Sequence, residues 1–186
     1  NWQSLHEQCM DAMTDDVAAH MAELFGVPEA TLVLFMGMGY DAEHQRVTFS
    51  MRNGHGDLVG LRTRYLETGA KRAVSGSAGG LFLPAKPTGE TDLWVCEGES
   101  DTACLHSMGL WAIGRSSNTS CVNMTCDYIV KHEPGRVFLV KDNDAPGSSA
   151  HTATERGVRK LAGAIREAGA WVAIVAPPNG IKDVKD

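Results

Sequence analysis

The sequence predicts an α/β protein: a parallel sheet flanked by helices, preceded by a smaller α+β subdomain built around a β-hairpin. Three observations lead there. From Asp92 onward, short apolar runs alternate with helix-like segments, the pattern of parallel strands joined by crossovers. Before Asp92, two alternating segments, Arg46–Met51 and Leu58–Tyr65, flank an Asn53-Gly54-His55-Gly56 turn. With 186 residues, 43% of them hydrophobic, the chain can bury one moderate core.

The elements follow in order. Ser4-Leu5-His6-Glu7 is a capping-box pattern that opens a short helix. Thr14 caps a second helix, whose apolar positions Val17, Met21, Leu24 and Phe25 recur at helical spacing and which Gly26 stops. Pro28 starts a third, running from Glu29 to Phe35. Met36 and Met38 are expected to pack between these helices and the hairpin. After the hairpin, a glycine-rich loop over Ser75–Gly80 leads into Leu81-Phe82, and Pro84–Gly89 is the expected boundary between residues 1–85 and 86–186. Strands are then predicted at Leu93–Cys96, Trp111–Ile113, Val137–Val140 and Trp171–Val175. The helices between them cover Ser100–Met108, a segment ending near His132, and a segment with Val158, Leu161, Ala162 and Ile165 on one face.

In open parallel sheets, sites form beyond the carboxyl ends of the strands. That rule selects residues here. Leu93–Cys96 runs into Glu97-Gly98-Glu99-Ser100-Asp101, and Val137–Val140 runs, after Lys141, into Asp142-Asn143-Asp144-Ala145-Pro146-Gly147. Glu97, Asp142 and Asp144 should converge at one rim. Crowded carboxylates either share protons or hold a cation. Mg²⁺, with Mn²⁺ as an alternative, suits a few carboxylates that leave room for water and phosphate. Asn143 should point away from the aspartate pair, because alternate residues of an extended segment face opposite sides. The plainer alternative is ordinary turn and cap chemistry at each strand end.

Charge and cysteines narrow the class. The net charge is −6, yet between Arg46 and Lys86 seven basic residues stand against two acidic ones. Five scattered cysteines suit reduced thiols in a cytoplasmic setting better than a disulfide framework. The spacing of Cys121, Cys126 and His132 fits no zinc template, and the sequons at Asn118 and Asn123 carry no meaning in such a setting. No stretch approaches membrane-spanning length. The opening Asn1-Trp2-Gln3-Ser4 and the closing charge run over residues 181–186 suggest cuts from a longer protein.

Glu97-Gly98-Glu99-Ser100-Asp101 followed by Asp142-Asn143-Asp144-Ala145-Pro146-Gly147 resembles the signature of the Toprim family. That family pairs a strand-end Glu-Gly-x-x-Asp with a later Asp-x-Asp-x-x-Gly. The resemblance covers about residues 86–186. Upstream, Arg46–Arg52 and Gly56–Arg62, then Lys71-Arg72-Ala73-Val74 and Leu81-Phe82, are similar to the segment that precedes Toprim in bacterial-type primases. The fold implied is a Toprim-like parallel sheet after a primase-like α+β subdomain. The activity implied is primer synthesis from nucleoside triphosphates on single-stranded DNA by metal-assisted phosphoryl transfer. Such a protein is expected in a phage or other mobile element, near the nucleoid, with a replicative helicase as partner or fused domain.

Roles implied by matched position are these. Asp142 and Asp144 would hold Mg²⁺. Glu97 would bind metal or act as general base on the attacking 3′-hydroxyl. Asp101 would support the site. Arg62, Arg64, Lys71 and Arg72 would grip triphosphate or template backbone, with a solvated strand face as the alternative, and Lys182-Asp183 would be a late lysine-aspartate element. Ser148 departs from relatives that carry a basic or amide side chain there, and the charge of Lys141 could compete with the metal. A Toprim nuclease of the OLD type and a non-catalytic nucleic-acid-binding Toprim module are the competing functions. A topoisomerase needs a tyrosine domain for which Tyr40, Tyr65 and Tyr128 give no context, and a phosphoacceptor-aspartate domain fits the motif order badly.

Overall fold

The computed structural model describes residues 1–117, 121–145, 147–178 and 181–184; Asn118, Pro146, Lys185 and Asp186 lie outside them. Helix α1 spans Trp2–Asp11 and α2 spans Asp15–Phe25. A π-helical turn follows at Thr31–Phe35, closed by the Met36 N–H donating to Thr31 O at 3.0 Å. The strands are β1 (Gly39–Asp41), β2 (Arg46–Arg52), β3 (Leu58–Tyr65), β4 (Lys71–Ala73), β5 (Leu81–Phe82), β6 (Asp92–Glu97), β7 (Trp111–Arg115), β8 (Arg136–Val140) and β9 (Val172–Val175). Helix α3 (Gly98–Ser107) joins β6 to β7, α4 (Val122–His132) joins β7 to β8, and α5 (Ser149–Glu167) joins β8 to β9.

All these strands belong to one sheet, in the order β4-β3-β2-β5-β7-β6-β8-β9, with β1 paired to β2. Strands β7, β6, β8 and β9 run parallel, as the strand–helix alternation predicts. The hairpin arm is antiparallel, and the two-residue strand β5 splices it to β7 through Leu81–Arg115 and Phe82–Gly114 pairing. The sheet is therefore continuous across the segment 84–89.

Most boundaries agree with the sequence to within a residue or two, and the differences have causes. Helix α1 begins at Trp2 because Asn1 takes the cap, its side chain accepting from Gln3 N at 3.0 Å, which leaves Ser4 inside the first turn. Thr14 caps α2 through Oγ1, which accepts from Val17 N at 3.4 Å, and Gly26 ends the helix in the left-handed conformation. Strands β1 and β4 carry no sequence signal: each has three residues, and every residue of β4 is exposed. Strand β6 extends one residue further than expected, which makes Glu97 its last member.

Two apolar clusters lie on the sheet. One packs α4 and α5 against β6, β7 and β8 through Val95, Ile113, Tyr128, Leu139, Leu161 and Ile165. The other packs α2, the π-helical turn and α3 against the hairpin, with Met21, Phe25, Met36, Met38, Phe49 and Met51 buried in it. Met36 and Met38 thus fill the place the sequence predicts for them.

Gly114 sets how close α3 can lie to β7. A Cβ there would stand 2.0 Å from Thr102 Oγ1 and 2.7 Å from the backbone oxygen of Gly98. Overpacking of this kind costs about 1–3 kcal/mol. Gly114→Ala is expected to lower the unfolding free energy by that amount, read as a lower urea midpoint at unchanged slope; an unaltered midpoint contradicts the close packing.

Candidate active site

Glu97 occupies the last position of β6, and α3 starts at the next residue. This abrupt start depends on Gly98, whose φ of 80° suits glycine. The Glu97 carboxyl is thereby fixed at the carboxyl rim of the sheet, half-buried, with its Oε2 buried and lacking a hydrogen-bond partner among the described residues. Asp142 and Asp144 leave the end of β8, which pairs directly with β6. The side chains converge enough to feel one another. Burial first, then the Asp142 charge, raises the Glu97 carboxyl above the usual carboxylate range, and Asp144 adds to this. Burial first, then Asp183 and Asp144, likewise raises Asp142.

The loop that presents the pair is fastened from both sides. Thr154 of α5, itself buried, donates from Oγ1 to Asp144 Oδ2 at 2.8 Å. Asn143 turns the other way, as alternation predicts. Its Nδ2 donates to Pro177 O and Ile181 O, each at 2.8 Å, and its backbone N–H donates to Lys182 O at 2.7 Å. This strap holds the segment around Lys182 beside Asp142, so that Asp183 raises and Lys182 lowers the Asp142 carboxyl. Ser148 caps α5, its Oγ accepting from His151 N at 3.0 Å. Lys141 is drawn off the aspartates by an ion pair with Glu155, which also meets Arg159 at 3.4 Å.

The other expected site residues divide. Asp101 is 5% exposed, on the buried face of α3 beside the Cys96 thiol. Among the basic residues, strand register separates what the sequence groups together. Arg62 opposes Ala73, Thr63 opposes Arg72, and Arg64 opposes Lys71. Opposed residues share a face and neighbours alternate. Arg62, Arg64 and Lys71 therefore lie on one face and Arg72 on the other, a split that hairpin pairing imposes and composition does not reveal. Two of the three on the shared face are engaged by Glu99, whose Oε1 meets Lys71 Nζ at 2.9 Å and Arg64 at 3.3 Å. Burial pushes the Glu99 carboxyl up, but Lys71 and Arg64 more than offset it and hold it below the usual range.

Sequence reasoning passed over Glu99, Thr154 and Arg115. The strand-end rule that selects Glu97 also selects Arg115, the last residue of β7 and the parallel partner of Glu97. Arg115 is 1% exposed. For Glu99 and Thr154 the sequence holds no comparable signal, because their partners come from other elements.

A divalent cation fits the chemistry of this rim: hard oxygen donors, an unsatisfied buried carboxylate oxygen and crowded negative charge. Among the described residues no group of three or more His, Cys, Asp or Glu side chains forms a ready metal cage. The described helices include none long and apolar enough to cross a membrane.

By sequence the chain matches no family model and no curated protein. By structure its mixed sheet, with parallel strands flanked by helices, is similar in fold to solved DNA primase catalytic cores. The E. coli primase catalytic core superposes with a TM-score of 0.68 at 16% identity, over 99% of this chain and 73% of that one. A DnaG primase catalytic domain bound to single-stranded DNA gives 0.67 at 16% identity, over 99% and 71%. The primase fragment of the bacteriophage T7 primase-helicase protein gives 0.63 at 17% identity, over 88% and 65%. At these identities the likeness is one of fold.

Two outcomes are expected. Removing one partner of a buried ion pair costs about 3–5 kcal/mol. Lys71 keeps 33% of its side chain exposed, so Glu99→Ala should cost about 2–3 kcal/mol by denaturant titration. A loss below about 0.5 kcal/mol, typical of surface pairs, would show that Glu99 does not clamp β3 and β4 to α3. The second outcome concerns pH. A carboxyl raised in the folded state stabilises below its unfolded value, and that contribution is lost as pH rises through the folded value. The melting temperature of Glu97→Gln minus that of the wild type, in chelator, should therefore widen between about pH 4 and about pH 8. A flat difference contradicts the raised Glu97 carboxyl.

Proposed function

We propose that this chain is the catalytic core of a DNA primase, joining nucleoside triphosphates into a primer on a single-stranded DNA template. The observation that carries the proposal is the arrangement of Glu97, Asp142 and Asp144 at the rim of adjacent parallel strands, in a fold shared with primase catalytic cores. One solved neighbour holds single-stranded DNA and another is part of a primase-helicase protein. We extend both to this chain as template and as partner.

Glu97, Asp142 and Asp144 would hold Mg²⁺ or Mn²⁺. The bound ion would offset charge on the triphosphate and on the transferring phosphoryl group. The protein's own contributions are local. Thr154 keeps Asp144 oriented. Asn143 keeps Lys182 and Asp183 beside Asp142. Glu97, its carboxyl biased toward the protonated form, is placed to take the proton of an attacking hydroxyl once it is ionised. Asp101 supports α3 from its buried face. On the strand face, Arg62 remains available to phosphate, whereas Arg64 and Lys71 act through Glu99 and Arg72 serves the opposite face. We assign residues 1–85 to substrate grip and residues 86–186 to phosphoryl transfer.

Incubation with single-stranded template, nucleoside triphosphates and Mg²⁺ tests the reading. Extended primers support it, shortened DNA would indicate a Toprim nuclease, and neither product would indicate a binding module. Losing several kcal/mol of charge stabilisation corresponds to about 10²–10³-fold in rate. Asp142→Asn and Asp144→Asn are expected to lower primer yield by that factor; full activity in either variant refutes the site.

A further inference from the structure

Arg115 is a buried cation in an acidic site. It closes β7 directly opposite Glu97 in the parallel register, so both side chains leave the same face of the sheet on adjacent strands. It is 1% exposed; burial lowers its guanidinium below the usual arginine range, and Glu97, then Cys96, Cys121 and Asp142, act in the opposite direction. A guanidinium stays charged at neutral pH. Charge of that kind is seldom buried without a counter-charge. Here the counter-charge comes from the same carboxylates that the proposed function gives to the metal.

We propose that Arg115 is a positioning residue: a fixed internal counter-charge that holds Glu97 and Asp142 together in the metal-free protein and is opposed to the incoming cation. This rests on the metal-binding reading of the rim. Two consequences have opposite signs. Without metal, Arg115 offsets the repulsion among the carboxylates and stabilises the fold. With metal, its positive charge competes with the ion and weakens binding. A purely structural arginine would give the first effect without the second.

The test measures Mn²⁺ binding by electron paramagnetic resonance, without nucleotide or DNA, together with melting temperature in chelator. Arg115→Gln is expected to bind Mn²⁺ at least about tenfold more tightly than wild type and to melt lower without metal. Arg115→Lys should resemble wild type in both. Equal Mn²⁺ affinity in Arg115→Gln and wild type overturns the proposal. If Arg115→Gln does not fold, the double variant with Glu97→Gln decides. Recovery of folded protein supports the counter-charge, and continued failure overturns it. Asp142→Asn separates the two readings. Mn²⁺ affinity unchanged in that variant removes the metal site itself, while the melting comparison still tests the counter-charge.

Discussion

Like charges do not gather unaided, and the rim of this sheet gathers several. Glu97, Asp142, Asp144 and Asp183 lie close enough for each of the first two to be held above its ordinary range. Their approach is enforced by backbone geometry. Strand β6 runs between β7 and β8 in parallel register, which brings three carboxyl ends to one edge. The energy comes from the apolar cluster beneath, where Val95, Ile113 and Leu139 are almost fully excluded from water. Electrostatic strain at the edge is thus supported by hydrophobic burial in the middle.

Around that edge, polar side chains fix orientation without adding negative charge. Thr154 reaches Asp144 from α5, and Asn143 ties the loop to residues 177–182. The Glu155 pair takes Lys141 away from the aspartates. The hairpin arm is fixed in the same manner, through Glu99 accepting from Lys71 and Arg64. Each device recruits a partner from a different element or loop, so the rim depends on those elements being packed together.

That dependence explains what the sequence could disclose. Periodicity is a local property: it located α2 and the long strands to within a residue or two and picked out the buried face of α5. Strand-end carboxylates followed from the same periodicity and a topological rule, which is why Glu97 and the Asp142–Asp144 pair were legible. The two faces of the basic cluster are not legible in the sequence, because Arg72 differs from Lys71 only in strand register, and register depends on pairing between β3 and β4. Glu99 is an ordinary helix residue until Lys71 arrives from β4. Arg115 was within reach of the rule that found Glu97, but an arginine at the end of an apolar strand attracts less notice than a carboxylate. Strands β1 and β4 are too short to show any period.

The Asn143 strap also bears on how the protein is made. The carbonyl acceptors of its side chain belong to Pro177, Pro178 and Ile181, more than thirty positions further along the chain, and the backbone of Lys182 completes the bond set. During translation the hairpin and the early helices emerge first and can fold as they appear. The aspartate loop emerges before the segment that fastens it. The acidic edge consequently sets after the hairpin and the early helices, and a nascent chain halted before residue 177 would have its strands but lack a fastened acidic rim.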